Sequence, residues 1–373
     1  MLKGFYLSLY MGGGPSPVPQ DVIDHLISAQ VTQTAGTSRS GFQLTFGVTK
    51  NGSIERDLIP SGFFDPLTRV QIVVTLAGSP TVLMDGLITR QDVAPSNSPG
   101  GSTLTVTGED ISVAMDLIEL TGLPYPCMPP EARVLVAIGK YGFLGVVPVI
   151  IPSVLFEIPN PLDKIPTHSG TDLAYVTSLA SDAGYVFYVT PGPRGVNTAY
   201  WGPEIRYGEV QPTLAVNSDA FTNVESLSFG YDGLSAKLFF FMCQIPFTTF
   251  SAPIPVPSVG ILRPSLAQKS PFPFKFEFIE GTNKLGPIGG AAIALAKSAQ
   301  SNDAVTGSGS LNVLRYGRIL EARKLVDVRG AGMQFDGTYY VKSVSHNIKR
   351  GEYKQSFSLA REGVVPTTTR VAV

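Results

Sequence analysis

The sequence has few of the residues from which catalytic and metal sites are usually built. Its 373 residues include 2 cysteines and 3 histidines, and Cys127 and Cys243 stand far apart, with no CxxC pair or Cys/His cluster. A structural zinc site is therefore not expected, no cofactor is predicted, and this cysteine usage fits a reducing compartment. The GxSxG elbow of a hydrolase and the Lys-Ser/Thr end of a phosphate-binding loop are also missing, so we predict no enzymatic activity.

Charge is equally scarce. Asp, Glu, Lys and Arg make up 15% of the chain and the formal net charge is -1, whereas roughly a quarter of an ordinary soluble domain is charged. A nearly neutral chain has no long-range field that would attract nucleic acid or an anionic membrane. Few charges also leave much of the folded surface uncharged, which is typical of surface that partners cover.

Uninterrupted apolar runs of membrane-spanning length are absent from the sequence. The most apolar stretch, 134–156, is broken by Lys140, Gly142 and Pro148, so we predict no spanning helix. The N-terminal run 4–11 is short and lacks a small-x-small cleavage site, which argues against a signal peptide. We expect a soluble product with no membrane insertion.

The length of 373 residues predicts several domains, because a single core stops growing near ~250 to 300 residues. Strand-like alternation of apolar and polar residues, as at Phe42, Leu44 and Phe46, occurs in the first and last parts of the chain. The predicted parts are a first β-barrel domain at 1–115, a mixed α/β domain at 116–205, the start of a second β-barrel domain at 206–250, a Pro-rich arm and helical insertion at 251–310, and the rest of the second β-barrel domain with a C-terminal tail at 311–373.

Helical spacing appears mainly between the two β regions, at 131–140 and 171–183. In the second stretch Thr171 is placed to cap the N-terminus, and Gly184 can adopt the left-handed conformation that ends a helix. The expected fold class is therefore mainly β with α+β insertions.

Three segments of the later part are predicted to lie outside the sheets. Residues 251–273 are too rich in Pro for paired strands and indicate an extended arm. Residues 289–300 are Ala-rich and predict a helix. The Thr-Gly-Ser-Gly-Ser sequence at 306–310 is typical of a flexible loop.

A hairpin is predicted within FDGTYYVKSVSHNIKRGEYKQSFSLAREG, residues 335–363. Its strands are 338–347 and 352–361, and 349–351 forms the turn. The aromatic residues of the second strand share one face and predict core, while His346 is expected to be a hydrogen-bonded structural residue. The residues predicted to build this hairpin are Asp336, Gly337, Tyr340, Gly351, Tyr353 and Phe357.

Paired carboxylates leave one catalytic alternative open. Glu109 and Asp110, with Asp116 and Glu119 nearby, could in principle hydrolyse a glycosidic bond if a cleft held two of them ~5 to 9 Å apart. A carbohydrate-active or cell-wall-cleaving β protein is thus the alternative to a structural role, although surface carboxylates are the commoner explanation.

The basic residues of the hairpin leave a second alternative. Lysines and arginines beside stacking aromatics can bind single-stranded nucleic acid, and the residues in question are Lys342, His346, Lys349, Arg350 and Lys354. Because the aromatics follow strand alternation and acidic residues interrupt the run, a half-buried hairpin is the favoured interpretation, and no specific nucleic-acid binding is expected.

The hairpin has a counterpart near the N-terminus. Asp85-Gly86 and Asp336-Gly337 each precede an apolar strand, a turn with a glycine and an alternating strand. The spacing from Asp to that glycine is 101 − 85 = 16 residues in the first case and 351 − 336 = 15 in the second. Such an echo indicates that the first and last domains are two copies of one small barrel.

The same segments resemble a known family. Residues 315–317 (RYG), 325–330 (LVDVRG), 336–341 (DGTYYV) and 351–353 (GEY) resemble the phage late control protein D family. That family supplies the central baseplate hub of contractile tails and contractile injection systems. The resemblance extends over most of the chain, is strongest after Leu311 and around Asp85 to Asp116, and depends on strand and turn patterns rather than on catalytic residues.

This resemblance implies an assembly and a set of partners. Family members carry two small β-barrels per chain, so a homotrimer presents a pseudo-sixfold ring that adapts a threefold spike to a sixfold inner tube. No spike-like β-helix repeat follows Gly363, so the spike is expected to be a separate protein. The other expected partners are the inner tube or a tube-initiator protein and further baseplate components. Assembly would take place in the cytoplasm, and the product would be the baseplate of a virion or injection particle.

Overall fold

The structure of the chain is a computed structural model, which describes residues 4–12, 14, 16–36, 38–50, 52–97, 101–153, 165–244, 251–256, 264–279 and 303–367. These residues are mainly β, in agreement with the predicted fold class. The strands are β1 (Phe5–Met11), β2 (Leu26–Thr34), β3 (Gly41–Val48), β4 (Arg69–Leu76), β5 (Ser79–Ala94), β6 (Ser102–Asp110), β7 (Val146–Ile150), β8 (Val186–Pro191), β9 (Asn197–Gly202), β10 (Val210–Ala215), β11 (Val224–Tyr231), β12 (Lys237–Gln244), β13 (Ser251–Val256), β14 (Ala267–Lys269), β15 (Lys275–Ile279), β16 (Val305–Asn312), β17 (Leu325–Arg329), β18 (Gly337–Lys349), β19 (Glu352–Arg361) and β20 (Val364–Pro366).

Helices are short and few in the described ranges. The α-helices are α1 (Gln20–Asp24), α2 (Pro130–Gly139), α3 (Asp172–Ala183) and α4 (Val313–Tyr316), and single 3-10 or π turns lie at Ile54–Leu58, Ile111–Asp116, Gly142–Leu144, Pro193–Gly195 and Asp219–Phe221. None of the helices described is long and apolar enough to cross a membrane.

Helix α3 shows how local sequence sets an element. The Thr171 side chain accepts a hydrogen bond from the backbone N–H of Ala174 at 3.2 Å, which satisfies an otherwise free donor of the first turn. At the other end Gly184 takes the left-handed conformation (φ 68°), which costs glycine little because it has no Cβ. The predicted caps are therefore both present.

Most strands belong to one large sheet with two similar parts. The first half-sheet, β1 to β6, has the order β1-β4-β5-β6-β3-β2, and the second, made of β10, β11 and β16 to β19, has the order β10-β17-β18-β19-β16-β11. Numbered by sequence within each half, both orders read 1-4-5-6-3-2. One pair differs: β1 runs antiparallel to β4, whereas β10 runs parallel to β17. The duplication inferred from the sequence is thus visible in the strand order.

The two half-sheets are joined by hydrogen bonds between β2 and β18. Because β2 lies between β3 and β18, it has no edge left with which to close the first half-sheet on β1. The described strands form an open sheet instead of two closed rings, so the prediction of two closed β-barrels is not confirmed. Buried side chains from both halves share one core, which includes Leu44, Ile72, Val341 and Tyr353.

The region between the half-sheets has its own core. A three-stranded sheet, ordered β7-β9-β8, packs with α2 and α3 around the fully buried Trp201. The indole N–H of Trp201 donates to the carbonyl of Val176 at 3.3 Å, and Tyr185 meets its ring edge-on. This region mixes helices and strands, as the sequence predicts.

The mixed region is attached to the first half-sheet through a buried carboxylate. Asp85 on β5 accepts two hydrogen bonds from the Arg69 guanidinium, at 2.8 and 2.7 Å, and one from the Asn197 side chain at 3.0 Å. Arg69 also donates to the carbonyl of Gly195 at 2.8 Å. Because one charged pair bonds both parts, their relative position is fixed by directional contacts as well as by apolar packing.

Two predictions about irregular segments are wrong. Residues 306–310 are not a flexible loop but the centre of β16, between β11 and β19. Gly307 and Gly309 suit this strand because the rings of Phe229 and Phe357 lie where their side chains would be. Part of the Pro-rich stretch 251–273 also forms paired strands, β13 with β12 and β14 with β20. The prolines of β13 are tolerated because β13 is an edge strand. The predicted helix at 289–300 lies outside the described residues.

Candidate assembly site

The predicted hairpin consists of β18 and β19, which pair antiparallel around the turn at Gly351 (φ 78°). Tyr340, Tyr353 and Phe357 are buried. The ring of Tyr353 packs against Phe5 of β1 at 5.4 Å, so the second half-sheet also contacts the first strand of the chain. Tyr340, Tyr353 and Phe357 are structural core.

Asp336 and Gly337 form the entry of the hairpin. The Asp336 carboxylate accepts from the backbone N–H of Ala331 at 2.8 Å, and its carbonyl accepts from Arg361 at 2.8 Å. Gly337 has φ 108°, and a Cβ there would lie 2.3 Å from the Cβ of Pro366. A glycine is therefore required at this position for both backbone conformation and space.

His346 is fully buried in β18, where its Nδ1 lies 2.8 Å from the Tyr353 hydroxyl. Burial lowers its pKa to about 3, because the charged imidazolium would lose its hydration. The imidazole is neutral at pH 7 and has no exposed surface. Gln355, which the sequence reasoning did not single out, is equally buried and bonds both the N–H and the carbonyl of Leu320, at 3.0 and 2.8 Å.

Three of the basic residues around the hairpin form ion pairs with carboxylates. Lys342 pairs with Asp303 at 2.6 Å, Lys354 with Glu225 and Glu352 at 3.2 Å each, and Arg350 with Asp24 at 3.4 Å. These neighbouring carboxylates offset the positive charge that phosphate binding would need.

The carboxylates singled out in the sequence are bound within the protein. Arg39 pairs with both Glu109, at 2.8 Å, and Asp116, at 2.5 Å. A hydrogen bond from Thr171 and the Arg39 charge hold the pKa of Asp116 below its usual value against the opposing effect of burial. Asp110 is buried and accepts from the backbone N–H groups of Ser40 and Ser112, while burial raises its pKa. In the ranges that the structure describes, no three or more His, Cys, Asp or Glu side chains are grouped to hold a metal ion.

The two half-sheets meet where β2 pairs with β18, and this pairing is here called the in-chain joint. Seven residue pairs run from Ser343 opposite Thr34 to Lys349 opposite Ser28. In the middle of the joint the hydroxyls of Thr32 and Ser345 lie 3.0 Å apart. Val31 and His346, the next pair, are fully buried. Backbone hydrogen bonds and a buried face therefore join one half-sheet to the other.

The two half-sheets also match residue by residue. In the first half-sheet, Leu67 has a positive φ (67°) and donates its N–H to the carbonyl of Ile88 at 2.7 Å. In the second, Arg323 has a positive φ (66°) and donates in the same way to the carbonyl of Val341 at 2.9 Å. Beyond these acceptors the ladders to β6 and β19 both skip one residue. Residues of β5 and β18 thus correspond at an offset of 341 − 88 = 253. The ladders of β2 and β11 shift register after residues 26 and 224. Residues of these two strands therefore correspond at an offset of 224 − 26 = 198.

This correspondence identifies two open edges in the described part of the chain. Residues 343–349 of β18 pair with β2. The corresponding residues of β5 lie beyond Leu87, where the ladder between β5 and β4 ends. Likewise β2 is bound by β18, but β11 pairs with β16 alone. The open edges are residues 90–94 of β5 and 228–232 of β11 and the turn after it. Neither open edge was predicted from the sequence, although the similar spacing after Asp85-Gly86 and Asp336-Gly337 indicated the repeat.

Neither protein-family models nor curated protein sequences match the chain. Solved structures do, and they show that the chain has the fold of phage tail proteins. The tail protein of Neisseria meningitidis MC58 is 16% identical over 97% of this chain and 98% of its own, with a TM-score of 0.64. The 43 kDa tail protein of prophage MuSo2 from Shewanella oneidensis is 13% identical over 96% of this chain and 99% of its own, with a TM-score of 0.65.

A bacterial secretion component has a similar fold. An Escherichia coli component of the type VI secretion system, described as structurally similar to the T4 bacteriophage tail proteins gp27 and gp5, is 12% identical over 98% of this chain and 78% of its own, with a TM-score of 0.56. The relation to phage tail and injection-system proteins that the sequence predicts is thus confirmed at the level of the fold.

Proposed function

We propose that the chain is a structural, non-enzymatic component of a phage tail or contractile injection particle, and that it serves there as a homotrimeric hub. The observation that carries the proposal is the duplicated strand order, 1-4-5-6-3-2, within one chain. Two similar half-sheets per chain give a trimer six similar units around its axis. Such a ring has threefold symmetry in sequence and nearly sixfold symmetry in backbone.

The ring would act as a symmetry adaptor between two partners. A threefold spike fits the true symmetry of the trimer, while a sixfold inner tube fits the six half-sheets, as the resemblance to the late control protein D family implies. The spike is a separate protein in this proposal, and other baseplate components surround the ring. The low charge content of 15% supports this role, because a hub has much of its surface covered by partners.

The unpaired strand edges support assembly over a monomeric role. Exposed strand edges promote aggregation, and stable proteins usually cover or interrupt them. Here the half-sheets present the open edges 90–94 and 228–232. A neighbouring copy that pairs with these edges would satisfy their backbone groups. Of the carboxylates considered for glycoside cleavage, Glu109 and Asp116 are bound to Arg39, Asp110 is buried, and the exposed Glu119 accepts a hydrogen bond from Thr121. This arrangement favours the structural role over the catalytic alternative.

Light scattering coupled to size-exclusion chromatography tests the oligomer, and averaged electron-microscopy images test its symmetry. We expect a stable trimer, because an obligate interface of this kind buries more than ~2,000 Å². In averaged images the trimer should appear as a ring with six similar lobes. A chain that stays monomeric, both alone and with tube and spike proteins, would refute the proposal. Release of fragments from purified cell-wall material by the purified chain would refute its non-enzymatic part.

A further inference from the structure

The open edge of β5 differs from the matching part of β18 in its pairing and in its exposure. The strand leaves β4 after Ile88, which bonds Leu67 and Thr68, and continues to Ala94; among the described residues it pairs there only with β6. Val93 is 51% exposed in this stretch, while its counterpart in β18, at 93 + 253 = 346, is the fully buried His346. Pro95, which has no backbone N–H, follows directly and ends the length that can pair.

The open edge of β11 is its counterpart. The outer side of β11 is unpaired in the part of the chain described, where Phe229 is only partly buried and Tyr231 is exposed. Phe229 corresponds to Val31 of β2, since 31 + 198 = 229, and Val31 is fully buried at the in-chain joint. Each open edge therefore corresponds to one partner of the in-chain joint.

We propose that residues 228–232 of one copy pair antiparallel with residues 90–94 of a second copy, in the register of the in-chain joint. The proposal rests on the proposed trimer and adds its contact at the level of residue pairs. The register follows from the two offsets. Thr32 of β2 corresponds to Gly230 of β11, since 32 + 198 = 230, and Ser345 of β18 corresponds to Asp92 of β5, since 345 − 253 = 92. Because Thr32 lies opposite Ser345 at the in-chain joint, Gly230 is placed opposite Asp92. The same conversion places Phe229 opposite Val93 and Asp232 opposite Arg90.

The side chains suit this register. Arg90 and Asp232 carry opposite charges at one end, and Val93 and Phe229 are apolar in the middle. Asp92 lies opposite Gly230, so no like charge faces it. Directly opposed pairs of these kinds stabilise antiparallel strands. A shift by one residue would turn Val93 away from Phe229, because successive side chains point to opposite faces.

Disulfide formation between copies tests the register. The variant Asp92→Cys/Gly230→Cys, in a background where both native cysteines are Ser, is oxidised with diamide, which takes up the two protons and two electrons released per disulfide. Directly opposite residues lie ~4.5 to 5.5 Å apart at Cα, within disulfide range. Gly230 accepts a side chain, since a Cβ there would lie 3.6 Å from its nearest neighbour, the Thr306 hydroxyl.

The matched control is Val93→Cys/Gly230→Cys, in which one cysteine moves to the next residue. We expect covalent dimers and trimers from Asp92→Cys/Gly230→Cys, and on the order of tenfold less from the control, because position 93 points to the other face. A mixture of two chains, one with Asp92→Cys and one with Gly230→Cys, should give covalent dimers only. This mixture also tests the register if the double variant fails to fold.

The outcomes separate this inference from the proposed function. A trimer by light scattering whose cysteines at 92 and 230 do not cross-link, or cross-link no better than the control, overturns the register and leaves the trimer intact. A disulfide within one chain, or to a different protein only, also overturns it. A chain that is monomeric under all conditions overturns the proposed function together with this inference.

Discussion

Replacing Gly309 with Ala should weaken the second half-sheet strongly. A Cβ at this position would lie 2.4 Å from the carbonyl oxygen of Ser226 and 2.7 Å from Cζ of Phe357, both inside the 3.0 Å that real Cβ contacts respect. Overpacking of this kind costs typically 1 to 3 kcal/mol, and we expect about 3 because the nearest atom belongs to the backbone. The lower entropy of an unfolded Ala chain offsets at most about 1 kcal/mol.

A net loss of about 2 to 3 kcal/mol corresponds to a fall in melting temperature of roughly 5 to 10 °C for a unit of this size. Thermal unfolding followed by near-ultraviolet circular dichroism, at one fixed protein concentration, measures it. Gly230→Ala is the matched control, because its Cβ would lie 3.6 Å from the nearest atom and its φ is not left-handed. The control should melt at the parent temperature or slightly above.

The displaced carbonyl belongs to β11, so the same substitution should affect assembly. If β11 moves outward to admit the new methyl group, its open edge no longer matches the edge of β5 in a second copy. The trimer of Gly309→Ala should therefore dissociate at a higher protein concentration than the parent. A variant that melts within about 1 °C of the parent, or a control that is destabilised equally, would contradict the packing argument.

Three further predictions follow from buried charge and from the open edges. The pKa of His346 is about 3 in the folded chain, against an ordinary value of 6.5, so proton binding favours the unfolded chain below pH 6.5. The free energy of unfolding should therefore fall by about 2 kcal/mol from pH 7.5 to 5. Urea titrations at both pH values measure this, and the fall should be smaller in His346→Gln. Asp85→Asn leaves the partly buried Arg69 unpaired and should cost about 3 kcal/mol in the same titration, and parent-like stability would contradict the role of this pair. Arg90→Glu should weaken the trimer severalfold on dilution, and adding Asp232→Arg should recover part of the loss, because opposite charges directly across from each other stabilise antiparallel strands. Loss without recovery would count against this pairing.

The elements that the sequence predicts well have strong local signals. Helix α3 is predicted with both caps because Thr171 and Gly184 act on backbone within a few residues of themselves. The β18–β19 hairpin is predicted with its turn at Gly351 because the alternation of apolar residues is regular on both sides. Such features depend on neighbours in sequence, so one sequence is sufficient to place them.

Strand β16 could not be predicted because its reasons are distant in sequence. Gly307 and Gly309 have flexible-loop composition, but the rings that take the place of their side chains come from Phe229 and Phe357, tens of residues away on two other strands. The open edges are invisible for the same reason. Whether residues 90–94 have a neighbour depends on where β4 ends and where β2 goes, and composition specifies neither.

The internal repeat shows how a correct inference can begin from the wrong residues. Sequence alone aligns Asp85-Gly86 with Asp336-Gly337, whereas the ladder offset of 253 aligns Asp85 with Thr338. The two aspartates consequently have different roles: one binds Arg69 between strands, and the other binds backbone at the hairpin entry. What the halves conserve is the positions of bulges and positive-φ turns, which set how far each long strand extends beyond its first partner. That extension binds β2 in one half and is open in the other, so the duplication itself generates both the joint within a chain and the proposed contact between chains.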